Sequence, residues 1–240
     1  MKKEKKSNNK FARFNLLLGD DFLNKHLSKF ILLLLSSLLI FPAFTHAEVT
    51  KQTERQTQVR PLSQKTVQLR VDLRHLWNEH AFWTEKFVVS SIAGLEDQEQ
   101  LLARLLKNQD DLGNAIKPFY GEEAGNKLGQ LLREHIQIAG KVMAAAKSGN
   151  QADFKKYNTE WFKNADDITN FLTAANPNYN KKELNEMMYM HLKLITDGVV
   201  AKLNKDWNAN IAALDKNQEH LMHMSDFLAE GIIKQFPNKF

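Results

Sequence analysis

LGQLLREHIQIAGKV, residues 128–142, sets the period on which the rest of the chain is read. Leu128, Leu131, His135, Ile138 and Val142 fall at i, i+3, i+7, i+10 and i+14, which is one face of an α-helix. An imidazole therefore sits in the middle of an apolar stripe. Working outward, this helix is expected over about 122–147, and Gly149-Asn150 supplies a stop signal. Leu73, Trp77, His80, Thr84 and Phe87 form a similar stripe upstream. Leu184, Met187, His191 and Leu194 form another downstream.

Each of these helices has a successor. The chain predicts a second helix over 96–107, broken at Asn108, with a short continuation to Lys117 before Pro118 and a turn at Phe119-Tyr120-Gly121. A fourth helix is expected over 151–174, stopping at Asn176-Pro177. Asn180 with Glu183 resembles a capping box opening a fifth, to about 204. The last covers about 206–235 and ends before Pro237. No stretch alternates as a strand would. The expected fold is all-α: a bundle of about six helices formed by three tandem helical hairpins over 63–240.

The hairpins look related. Their histidines, His80, His135 and His191, are 55 and 56 residues apart. Each second helix carries an aspartate in a polar signature: Asn108-Gln109-Asp110-Asp111, Asn164-Ala165-Asp166-Asp167 and, more weakly, Met224-Ser225-Asp226. A period near 56 residues marks duplicated units that stack to bury their apolar faces. Two antiparallel helices bring residues about 30 apart to similar heights. Each histidine is therefore expected to face the aspartate of its own hairpin, Asp110, Asp166 or Asp226. An aspartate accepting from one ring nitrogen would favour the charged imidazole and leave the other nitrogen free for a ligand.

The blocks LWNEHAFWT (76–84), PFYG (118–121), EHI (134–136), WFKNAD (161–166) and QFP (235–237) resemble an uncharacterised family of bacterial helical proteins, common in Gram-positive species. The resemblance covers nearly all of 65–237. That family repeats Glu-His in its first helices, as Glu79-His80 and Glu134-His135 do here; Met190 stands before His191. Its members are sometimes labelled glycosyltransferase or acetylglutamate kinase, yet this chain has neither a Gly-rich phosphate loop nor a strand to carry one. The resemblance implies no activity.

Glu79, His80, Asp110, Glu134, His135, Asp166, His191 and Asp226 form the candidate metal set. Imidazole and carboxylate suit zinc, iron or manganese. Adjacent Glu and His diverge by about 100° on a helix, so both cannot easily bind one ion. The competing reading is a buried histidine network that fixes the register of the hairpins. Copper is a less favoured ligand: Met187, Met188, Met190, Met222 and Met224 lie among His191, His220 and His223, although methionine at helical spacing usually packs a core. Trp77, Phe82, Trp83, Trp161 and Trp207 read as core before they read as a ligand pocket. No nucleophile or oxyanion motif accompanies the histidines, so the reading leans away from an enzyme.

The compartment is read from the N-terminus. Basic residues precede an apolar run over 30–44, and Thr45-His46-Ala47 ends it. This reads as a signal peptide, 1–47, cleaved after Ala47; an uncleaved membrane anchor is the alternative. Residues 48–62 read as a disordered polar tether. Of the chain's 33 Lys/Arg and 28 Asp/Glu, the leader carries 8 and 3, so the remainder holds 25 of each. That neutrality argues against nucleic acid as a partner. The absence of cysteine excludes disulfides and thiolate metal sites. The expected function is an exported, periplasmic or extracellular, non-catalytic binding or structural protein of the cell envelope. Its central cluster would bind metal or a small ligand, or its surface an envelope protein. A metal-dependent enzyme using the same residues, or a pure protein-interaction module, is the alternative.

Overall fold

The computed structural model describes residues 62–240. The expected leader, and all but the last residue of the expected tether, lie outside the described residues. Within them the chain is all-α, with five α-helices: α1 Gln64–Ala93, α2 Gln98–Ser148, α3 Gln151–Ala175, α4 Lys181–Leu203 and α5 Trp207–Gln235. A short 3-10 turn, Pro237–Lys239, follows.

Local chemistry sets the helix ends. The side chains of Ser63, Asn150, Asn180 and Asp206 accept the backbone N–H three residues on, at 3.0–3.2 Å, satisfying donors that a helix start leaves open. Gly94 and Gly149 end α1 and α2 in the left-handed conformation, at φ 70° and 69°.

The helix expected to break at Asn108 does not break there. Asn108 is fully buried, and its Nδ2 donates to Leu76 O at 3.0 Å, so the amide serves a tertiary contact instead of competing for its own backbone. Pro118 likewise lies inside α2. Direction reverses at Gly121 alone, at φ 86° and ψ 172°, which a side chain would strain. The two arms of α2, 98–120 and 122–148, then lie antiparallel. They touch closely: a Cβ on Gly113 would meet Gly125 O at 2.5 Å and Gly129 N at 2.9 Å.

Around a central axis run α1, the two arms of α2, α3, α4 and α5, and α5 returns to pack on α1. Paired contacts that run in opposite order show neighbours to be antiparallel: Leu76–Asn108 with Glu79–Arg104, Leu131–Asn164 with His135–Trp161, Asn185–Asp166 with Tyr189–Phe162, His191–Asn217 with Gly198–Asn210, and Arg70–Glu230 with Arg74–Asp226. The apolar core forms two clusters. One contains Leu73, Trp77, Leu112, Leu132, Leu184 and Met224; the other contains Phe87, Val88, Leu105, Ile136, Met143 and Val199. On α1, His80 comes between Trp77 of the first and Phe87 of the second. Each cluster encloses an apolar cavity of about 40 Å³.

Candidate functional site

The three stripe histidines come together in the interior. His80, His135 and His191 are 2%, 3% and 4% exposed. The rings of His80 and His191 are 5.6 Å apart between centroids, and those of His135 and His191 6.2 Å and nearly parallel. The helical period alone places them, because each occupies a core-facing position of its helix.

Their partners are amides, which corrects the expected histidine–aspartate pairing. His135 Nδ1 lies 2.7 Å from Asn164 Oδ1, and Asn164 Nδ2 donates to Leu131 O at 3.1 Å. That carbonyl fixes the amide's orientation, so Nδ1 of His135 carries the proton. Its Nε2 accepts from Trp161 Nε1 at 3.0 Å, completing both ring positions. His191 Nδ1 donates to Asn217 Oδ1 at 2.8 Å, while His220 Nε2 donates to Met187 O at 2.8 Å. Two side chains of α5 thus share the work that Asn164 does alone. Gln109 Nε2 faces Leu105 O, Asn108 Oδ1 and His80 Nδ1, at 2.8, 3.1 and 3.3 Å. An amide nitrogen only donates, so its two hydrogens are shared among the two oxygens and His80 Nδ1, which faces Gln109 as an acceptor; this puts the ring proton on Nε2.

Burial of these rings away from water favours the neutral form. It holds His80 well below its usual value, helped by the neighbouring His191 and His135 and opposed by Gln109. It lowers His135 to about 3, with His191 adding to the effect. It lowers His191 to about 4, opposed by its bond to Asn217. The expected aspartate would have done the reverse.

The expected carboxylates lie elsewhere. Glu79 pairs with Arg104 at 2.9 Å, and Glu134 accepts from Gln130 at 2.9 Å. Asp110 pairs with Arg133. Asp226 receives both Nε and Nη2 of Arg74, at 2.7 and 2.5 Å. Asp166 Oδ1 accepts from Asn185 Nδ2 at 2.7 Å and from Tyr189 OH at 2.8 Å. Each aspartate therefore reaches across to a helix other than the one bearing the histidine it was expected to face. Among the described residues no group of three or more His, Asp or Glu is placed to hold a metal ion.

Sequence reasoning named the segments but missed the working residues Gln109, Asn164, Asn217, His220 and Trp161. A signal was present: Gln109, Asn164 and His220 each follow a stripe histidine by 29 residues. The methionines divide too. Met188 and Met224 line the first apolar cavity, whereas Met190 is exposed. Trp77 and Trp161 are buried in the core, and Phe82 and Trp207 are exposed. The two apolar cavities are not lined by His80, His135 or His191 themselves, although Trp77 and Trp161, which touch the rings of His80 and His135, line them, and Asn217, the partner of His191, lines a smaller one. No helix among them is long and apolar enough to cross a membrane. Comparison with known proteins finds no matching family, no matching curated protein and no matching solved structure.

Proposed function

We propose that this chain is an exported, non-catalytic protein of the cell envelope, built from three tandem helical hairpins whose histidines form an architectural polar layer. The hairpins are α1 with the first arm of α2, the second arm with α3, and α4 with α5. The burial pattern supports this division. Seven and three residues before each histidine, and seven and eight after it, the chain is buried in all three copies. Around Asp110, Asp166 and Asp226 the sequence exposed, buried, buried, half-buried, half-buried, buried, buried recurs over 107–113, 163–169 and 223–229. The aspartates stitch one unit to the next. Asp110 reaches Arg133, Asp166 reaches Asn185 and Tyr189, and Asp226 reaches Arg74 of the first unit, closing the circle.

One observation carries the non-catalytic reading: each imidazole is buried and bound by an amide. A general acid or base needs its reacting group within hydrogen-bond reach, and these rings are almost wholly withdrawn from solvent. Recognition then belongs to the outer surface. A second reading, a zinc, iron, manganese or copper ion held between His80 and His191, has one feature in its favour. The buried Gln109 Oε1, on the side chain that faces His80, has no hydrogen-bond partner among the described residues. Against it, His135 has both ring nitrogens engaged.

Metal analysis of the purified protein separates the two. The architectural reading expects no stoichiometric metal and no rise in melting temperature on adding zinc, iron(II), manganese or copper. A bound ion that raises the melting temperature, and is lost in His191→Asn, overturns it.

A further inference from the structure

The three aspartate seams are not chemically equal. On the three-hairpin reading, on which this inference rests, Asp110, Asp166 and Asp226 occupy equivalent positions. Their partners stand two or six residues before the next histidine. Arg133 is two before His135, and Arg74 is six before His80. Each gives its aspartate a guanidinium. At the third seam the same two positions hold Tyr189 and Asn185, both neutral, and both donate to Asp166 Oδ1. Asp166 Oδ2 has no partner among the described residues. Two seams are neutralised and the third keeps its charge.

The surroundings of Asp166 differ in shape as well. It lines a shallow, open depression of about 450 Å³ along one face of α3 with Asn158, Thr159, Phe162 and Lys163. Phe162 meets Tyr189 edge to face, at 4.8 Å between centroids, so two aromatic rings flank the carboxylate. Lys163, the cation of this face, is held by Asp167 at 2.7 Å and feels Asp166 only through space. With Asp166, Asp167 and Lys163 counted together, this patch carries a net charge of −1.

We propose that the face of α3 at Asp166, beside Tyr189 of α4, binds an arginine side chain of a partner protein, which supplies from outside the guanidinium that Arg133 and Arg74 supply from within. A guanidinium matches this site better than an ammonium does. Its planar fork can meet a carboxylate edge while its face stacks on an aromatic ring. A single exposed contact of this kind is weak, so a lone arginine binds in the millimolar range and neighbouring residues of the partner supply the rest.

Argininamide titrated into the purified protein, followed by amide NMR, tests this directly. Shifts confined to residues near 158–170 and 185–190 are expected. Lysinamide should shift them less, and citrulline amide, the neutral isostere, not at all. Asp166→Asn should reduce the response at least fivefold with an unchanged circular dichroism spectrum. A pentapeptide with arginine at its centre should bind at least as tightly as argininamide; its exclusion overturns a protein partner. Equal shifts from citrulline amide, or no shifts from argininamide, overturn the guanidinium site without any variant. Tyr189→Arg separates this inference from the repeat. An arginine placed there should pair with Asp166, raise the melting temperature and abolish argininamide binding. If it stabilises the fold but the native protein never bound argininamide, the site fails and the repeat stands. If it fails to stabilise and leaves binding intact, the seams are not equivalent and the reasoning from them falls.

Discussion

Lowering the pH from 7.5 to 5 should cost this domain several kcal/mol, with the histidine layer as the cause. The folded state keeps its buried rings neutral, whereas an unfolded chain takes up protons below pH 6.5. The stability these groups contribute is therefore complete above 6.5. It declines as pH falls toward their folded values, about 3 for His135 and about 4 for His191, where the loss levels off. Each pH unit within that window costs about 1.4 kcal/mol per ring. At pH 5 His135 and His191 each lose about 2 kcal/mol, or about 4 together, and His80 acts in the same direction. A domain commonly holds only about 5–15 kcal/mol in all. Asp226 is held below its usual range by its bond to Arg74, so it adds its own loss only in stronger acid. Urea unfolding followed by helical circular dichroism at pH 7.5, 6.5, 5.5 and 5.0 measures the effect. The imidazole proton resonances of His80, His135 and His191 should not titrate before the domain unfolds. An unfolding free energy that drops by less than about 1 kcal/mol over this range would refute the argument, as would buried rings titrating near 6.5.

Two substitutions probe the packing beneath this behaviour. Asn164→Ala strips a partner from His135 Nδ1–H and from Leu131 O; at about 1–3 kcal/mol for each buried group, the melting temperature should fall sharply, and Asn164→Asp should not restore it at neutral pH. Gly113→Ala places a methyl against the backbone of Gly125 and Gly129, which has no flexible side-chain end to move aside, and should cost about 1–3 kcal/mol by thermal unfolding; Gly140→Ala, which meets only the Phe87 ring at 3.8 Å, should cost less.

Much of the architecture could be read from the period of the apolar residues. The stripes of His80, His135 and His191 gave their helices and their inward direction, and Asn180 and Gly149 marked ends where the structure has them. What could not be read was which member of the polar signature faces the rings. Asn164 and Asp166 are two residues apart, about 200° around a helix, so only one can point inward. Spacing treats them alike. Energetics does not: a carboxylate buried without a cation costs far more than an amide whose donor and acceptor are both used. Asn108 was misread for a related reason. Asparagine is a poor helix former when judged alone, and here a buried bond to Leu76 O outweighs that preference.

The polar layer also bears on how look-alike helices choose their neighbours. Three helices with nearly the same stripe could trade places, or slide by one turn of 5.4 Å, with little change in apolar contact. Each imidazole answers to a different amide: Gln109 for His80, Asn164 for His135, Asn217 for His191. A slipped or exchanged helix would strand a ring and an amide together in a dry interior. The layer thus works as a three-tooth key that admits one setting of the bundle and rejects its near-copies.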